Sequence, residues 1–114
     1  MRVRNTVLAV GLIQITREDR FGEPVIRVFV GGRQALKFDC FARDAHLHLD
    51  PDGRNEVRPI ISSDSLRWAT REIREHLAEL FRQAGFPHGA AEVEREAVRA
   101  LIEEVGAALG SCPN

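Results

Sequence analysis

The chain has 114 residues, of which 44% are hydrophobic and 29% are charged, and its formal net charge is −1. This length predicts one domain over residues 1–114, with a core of its own. The near-zero net charge argues against a dedicated nucleic-acid-binding protein, and the longest apolar stretch, Val7 to Ile13, is too short to cross a membrane.

Residues 1–61 have the two-residue hydrophobic period of β-strands. We predict a first strand at 3–16, a polar loop at 17–24, and further strands at 25–30, 34–41, 46–50 and 57–61. The last of these belongs at a sheet edge, because Pro59 cannot donate a backbone hydrogen bond. This part of the chain is therefore expected to form an antiparallel meander of four to five strands.

Residues 62–110 have the period of amphipathic helices. Asp64 or a neighbouring serine can cap a first helix, which ends at Ala84 before Gly85 and Pro87. A second helix is predicted at 90–109, and the short link makes the two helices antiparallel. Residues 111–114 form a tail. The expected fold class is α+β, with the two-helix hairpin packed on one face of the meander.

The strand period also predicts which side chains share a sheet face. A loop at 42–45 would place Asp39 opposite His48 and Lys37 opposite Asp50. A turn at 31–33 would place Val28 opposite Leu36. The face expected to pack on the helices holds Ile26, Val28, Val30, Leu36, Phe38, Cys40, Leu47 and Leu49. The opposite face holds Arg27, Phe29, Lys37, Asp39, Phe41, His46, His48 and Asp50, joined by either Leu8, Val10 and Leu12 or Val7, Ala9 and Ile13.

Phe29, Phe41 and these aliphatic residues make the second face partly apolar. Contiguous exposed apolar surface usually marks an interface, so we predict a homodimer formed through this face or through the first strand. The candidate ligand-binding or interface residues are Lys37, Asp39, Phe41, His46, His48 and Asp50.

His46 and His48 are two residues apart on a strand, so both side chains point to the same side. An opposing Asp39 can orient the His48 imidazole. Two histidines and one carboxylate can also hold a metal ion with open coordination positions, and no other cofactor is predicted. The alternative is that these residues and Lys37 form a hydrogen-bonded polar patch at a dimer seam or ligand pocket.

Two further features favour structural roles. Cys40 lies on the expected core face, away from both histidines, which predicts a buried thiol rather than a nucleophile; Cys112 lies in the tail. Arg67, Arg71 and Arg74 follow one side of the first helix, as in a helix that contacts nucleic acid. Interleaved glutamates, including an Arg71–Glu75 pair, favour a solvated face instead.

The stretch Phe38-Asp39-Cys40-Phe41, with His46-Leu47-His48 and Asp50-Pro51-Asp52-Gly53 after it, resembles a family of small bacterial proteins of uncharacterised function. In that family a similar core precedes a tryptophan-containing helix and a second helix, and Trp68 is the matching tryptophan. The resemblance covers about residues 30–110. It implies a bacterial cytoplasmic protein without an assigned activity, and it brings no catalytic residue.

Together these features predict a small cytoplasmic homodimeric module that is not an enzyme and that binds a partner protein or small ligand through the histidine-bearing face. One alternative is a metal-dependent or small-ligand-binding protein or enzyme that uses His46, His48 and Asp39. Another is a nucleic-acid-associated regulator that uses the first helix.

Overall fold

The computed structural model describes residues 3–109. Its elements are β1 (Val3–Val10), β2 (Ile13–Arg20), β3 (Glu23–Val30), β4 (Arg33–Asp39), β5 (His46–Leu49), β6 (Glu56–Pro59), α1 (Ser65–Ala84), α2 (Pro87–Glu94) and α3 (Glu96–Leu109). Over this part of the chain the strands form one antiparallel sheet in the order β1-β2-β3-β4-β5-β6. The α+β class and the meander are confirmed. The sheet has six strands where four to five were expected, and three helices follow it where two were expected.

The prediction of one long strand at 3–16 and a loop at 17–24 is wrong. The chain turns at residues 11–12, where Gly11 has a φ of +56°, and it turns again at Phe21 and Gly22. A side chain at Gly11 would also collide with the Glu92 carboxylate of α2. The turn is hidden in the sequence because Leu12 is apolar, although it lies 45% exposed at the turn.

The expected pairing of Val28 with Leu36 is confirmed. The turn between β3 and β4 has two residues, Gly31 and Gly32, and not the three expected. A bulge at Ala35 supplies the additional residue that brings Val28 into register with Leu36.

The pairing of β4 with β5 differs from the prediction by two residues: Asp39 lies opposite His46, and Lys37 lies opposite His48. The reason is that β4 ends at Asp39, so the connection to β5 covers residues 40–45 and not 42–45. Because side chains alternate with a period of two, an even displacement leaves the residues that pair between β4 and β5 on their predicted faces.

The boundaries of the first helix are confirmed. Asp64 accepts a hydrogen bond from Arg67 N at 3.1 Å, and Gly85 ends α1 with a φ of +86°. The prediction of a single helix at 90–109 is wrong. The helix α2 begins at Pro87 and ends at Glu94, and the chain is extended at Arg95, with a ψ of 130°. Proline suits the first position of a helix, where its missing N–H costs nothing.

The helices cover the sheet face that the sequence predicted. All eight residues expected on that face are buried, and β2 adds Ile13 and Ile15 to them. Leu8 and Val10 pair with these two isoleucines and so share their face, and Leu12 lies in the turn, so the prediction of these three on the opposite face is wrong. Of the alternative set, Ala9 lies on the opposite face, but Ile13 does not. Trp68 is half-buried at the rim of the core, 6.4 Å from the Phe38 ring centroid. Within residues 3–109 no helix is both long and apolar enough to span a membrane.

Candidate functional site

The sheet face that points away from the helices is called the open face below. Strand alternation and pairing place on it Thr16 and Glu18 from β2, Val25, Arg27 and Phe29 from β3, Lys37 and Asp39 from β4, and His46 and His48 from β5. Arg27, Lys37 and His48 lie directly opposite one another on three adjacent strands. We call these three residues the basic row.

Asp39 and His48 are in contact, as the sequence predicted, although they are diagonal rather than direct neighbours. His48 Nε2 lies 2.9 Å from Asp39 Oδ2, and His48 Nδ1 lies 3.1 Å from Asn55 Oδ1 in the β5–β6 loop. Both ring nitrogens are therefore engaged. Lys37 Nζ lies 3.5 Å from the second carboxylate oxygen, Asp39 Oδ1.

His46 lies directly opposite Asp39, and its ring centroid is 6.2 Å from that of His48. Its ring is half-buried and makes no hydrogen bond with any residue in the described part of the chain. His46 is therefore the histidine of this face whose nitrogens can meet another molecule.

Two of the predicted site residues, Phe41 and Asp50, lie apart from the group formed by Lys37, Asp39, His46 and His48. Phe41 follows the end of β4, and its carbonyl oxygen accepts a hydrogen bond from Ser65 Oγ at 3.0 Å. Asp50 is not opposite Lys37 as predicted, because it begins the β5–β6 loop with a φ of +52°. Its carboxylate binds Arg33 Nη2 at 2.8 Å.

The β2 residues of the open face were missed at the sequence level, because Glu18 falls in the predicted loop at 17–24 and Thr16 at the end of the predicted strand at 3–16. Glu18 is 1% exposed, and its Oε1 lies 3.4 Å from Arg27 Nη2. Arg27 Nη1 also donates to Gln34 Oε1 at 3.1 Å. A sequence signal was present, because the polar residues Gln14 and Thr16 alternate with Ile13 and Ile15. The charged run that follows Thr16 obscured the continuation of this strand.

Two buried side-chain oxygens on the open face, Thr16 Oγ1 and Asp39 Oδ1, have no hydrogen-bond partner among the described residues. The Lys37 ammonium near Asp39 Oδ1 is an ionic contact and not a well-formed hydrogen bond. A buried polar atom left in this state costs about 1–3 kcal/mol, so native proteins usually supply a partner for it. Both atoms lie on the face that carries the predicted site.

The metal-site hypothesis finds no ligand set in the described part of the chain. Within residues 3–109, no group of three or more His, Cys, Asp or Glu side chains is arranged to hold a metal ion. A metal-binding histidine keeps one ring nitrogen for the metal, whereas Asp39 and Asn55 occupy both nitrogens of His48.

Cys40 is buried on the helix side of the sheet, as predicted, and Cys112 lies outside the described residues. Burial, together with the nearby Asp39 carboxylate, raises the pKa of the Cys40 thiol to about 12. Because only the thiolate is a good nucleophile, this residue is poorly suited to covalent catalysis.

The arginines of α1 are exposed, as a solvated helix face requires. The predicted Arg71–Glu75 pair is wrong: Glu75 instead lies 3.7 Å from Arg74, its neighbour in sequence. Glu72 lies 3.1 Å from His76 Nδ1, at the residue where α1 bends.

The chain was compared with known proteins. A family model described as a domain of unknown function (DUF7700) matches residues 6–109. The chain therefore belongs to this family, which confirms the predicted membership of a family without an assigned function. Neither the comparison with curated proteins nor the comparison with solved structures found a match.

The Cys40 thiol should be protected from reagents in the folded protein. In a Cys112→Ser variant at about pH 8, we expect a thiol reagent to label Cys40 only when the protein unfolds, because burial and the raised pKa both suppress the thiolate. Mass spectrometry with and without denaturant measures this. Rapid labelling of the folded variant would show that the β4–β5 connection opens locally.

The β5–β6 loop should lose stability in acid. The Arg54 N–H and the Arg33 guanidinium both bind the Asp50 carboxylate, and these contacts lower its pKa. A lowered pKa in the folded state stabilises the fold above the ordinary carboxyl pKa of about 4, and this stabilisation is lost as the pH falls through the folded value.

Asp50→Asn should therefore lower the melting temperature at neutral pH. The difference in melting temperature between this variant and the natural protein should shrink toward zero in acid. Glu103→Gln is the control, because this exposed side chain of α3 joins no ion pair in the described part of the chain. A pH-independent difference for Asp50→Asn would contradict the electrostatic explanation.

Proposed function

We propose that this protein is a homodimeric binding module that recognises a small polar ligand on its open face. The observation that carries the proposal is the pair of buried, unpartnered oxygens, Thr16 Oγ1 and Asp39 Oδ1, on a sheet face turned away from the helices. A ligand on this face supplies the missing hydrogen bonds and so recovers part of their cost.

The side chains around these atoms are suited to recognition. Arg27, Lys37 and His48 keep 19%, 23% and 20% of their side-chain surface exposed, so each is held in place yet can touch a bound molecule. Polar groups with fixed positions and a mixture of donors and acceptors are typical of small-molecule sites.

The side chains of the open face support ligand binding better than they support catalysis. His48 has both nitrogens engaged, and Cys40 lies on the opposite side of the sheet with a raised pKa. A nucleophile–base pair of the kind that covalent catalysis needs is not formed by these residues. A cytoplasmic location belongs to the same proposal, since the unpaired thiol of Cys40 is compatible with a reducing compartment.

The binding proposal predicts a response confined to the open face. NMR of the ¹⁵N-labelled chain, titrated separately with small carboxylic acids, amines and amino acids, should shift the backbone amides of β3, β4 and β5 and leave those of α1 unchanged. Lys37→Met should weaken the response, whereas Arg67→Met, which removes an exposed arginine of α1, should not. Shifts restricted to the helices, or no shifts with any compound, would refute the proposal.

We also propose that two copies associate through β1. β1 is an eight-residue strand at one edge of the sheet, so one of its two long sides has no strand beside it within residues 3–109. The opposite edge, β6, has four residues and ends in Pro59, and a short proline-containing strand pairs poorly. Pairing of β1 with β1 of a second copy leaves the open face free for its ligand.

Light scattering over a concentration series tests this dimer. Ala9→Lys places a charge on an exposed position of β1 and should weaken the dimer at least about tenfold in dissociation constant, because edge lysines oppose strand pairing. Val57→Lys, on the exposed surface of β6, is the matched control. A monomer at all concentrations, or a dimer that only Val57→Lys disrupts, would contradict pairing through β1.

A further inference from the structure

We infer that the ligand of the open face is a small zwitterion with an ammonium and a carboxylate group close together, as in an α-amino acid. The inference rests on the proposed function and names the chemical class that the site would take. It depends on the Lys37–Asp39 pair, whose ammonium nitrogen and unpartnered carboxylate oxygen are 3.5 Å apart.

The acidic half of the site is Asp39 Oδ1. The Asp39 side chain is 8% exposed, and its other oxygen already holds His48 Nε2. Oδ1 therefore has an unused lone-pair direction beneath a lysine that is too distant for a good hydrogen bond. The group that satisfies a buried carboxylate oxygen best is a charged N–H donor, such as an ammonium group at hydrogen-bond distance.

The basic half of the site is formed by Lys37 and Arg27. These two cations lie directly opposite each other on adjacent strands, an arrangement that is unfavourable unless an anion lies near both. Arg27 is partly neutralised by Glu18 at 3.4 Å, and Lys37 by Asp39 at 3.5 Å. A carboxylate placed between the two cations removes the remaining repulsion.

Binding exchanges one ion pair for two. The flexible four-carbon side chain of Lys37 swings away from Asp39 Oδ1, the ammonium group of the ligand takes its place, and Lys37 then binds the carboxylate of the ligand. A plain acid would draw Lys37 away and leave a buried carboxylate oxygen without a cation, which is costly. A plain amine would displace Lys37 and leave the two opposing cations uncompensated. A zwitterion avoids both costs.

Phe29 indicates which zwitterion to use as a probe. It is half-buried on the same face and the same strand as Arg27, two residues further along β3, so its ring lies beside the basic row. An amino acid with an aromatic side chain can pack on this ring while its charged groups contact Lys37 and Asp39.

The test compares three compounds that share a phenyl group. L-Phenylalanine carries both charges, 3-phenylpropanoate lacks the ammonium group, and phenethylamine lacks the carboxylate. Dissociation constants come from NMR titrations of the full chain, followed at the backbone amides of β3, β4 and β5. We expect L-phenylalanine to bind at least about tenfold more tightly than either partial ligand.

Two variants assign the charges. Lys37→Met should remove the advantage of L-phenylalanine over phenethylamine, and Asp39→Asn should remove its advantage over 3-phenylpropanoate. Arg67→Met should change neither ratio. Melting curves establish that each variant is folded, and if Asp39→Asn does not fold, the Lys37→Met ratio decides.

The outcomes separate this inference from the proposed function. If all three compounds shift the open-face amides with equal affinity, the open face is a binding site but the zwitterion inference is wrong. If only the acid or only the amine binds, the inference is again wrong. If none of the three shifts these amides, while another class of small molecule does, the inference fails alone. If no small molecule does so, both proposals fail, and a segment of a partner protein becomes the occupant to examine.

Discussion

The alternation of side chains along six antiparallel strands is the constraint on which the rest of this structure depends. Each strand places one set of residues under the helices and the other set on the open face. The helix side is filled by aliphatic and aromatic residues such as Phe38 and Leu49, both without measurable exposure. A charged residue in the middle of a strand on the helix side must reach past the core, as Arg17 does by donating to Leu109 O at 2.9 Å.

This constraint explains why charged residues are crowded on one surface. Glu18 and Asp39 are nearly as buried as core residues, although they lie on the face opposite the helices. Long neighbouring side chains, above all Arg27 and Lys37, lie across them and shield them from water. Burying carboxylates is expensive unless they are paired, and the pairing here is incomplete at one oxygen of Asp39. The same incompleteness makes this surface the best candidate for a binding site.

Sequence reasoning found the correct residues for this surface while using the wrong register. It placed Lys37, Asp39, His46 and His48 on one face, and they are there, because an error of two residues in the β4–β5 pairing does not change faces. It missed Thr16, Glu18 and the turn at residues 11–12, since an exposed Leu12 extends the apolar run and a charged run follows Thr16. It also missed the extended residue Arg95, because the hydrophobic pattern continues through the break between α2 and α3.

The sequence by itself determined the α+β class, the order of the strands before the helices, the division of β3, β4 and β5 between the two sheet faces, and the cap and end of α1. These properties depend on local periodicity and on residues such as Asp64 and Gly85, whose preferences act over a few neighbours. Only the tertiary structure decided the diagonal contact of Asp39 with His48, the anchoring of that histidine by Asn55 and the unpartnered oxygen beside Lys37. Those features depend on loop lengths and on long-range contacts, such as the hydrogen bond from Ile60 N to Ala45 O, which no local pattern encodes.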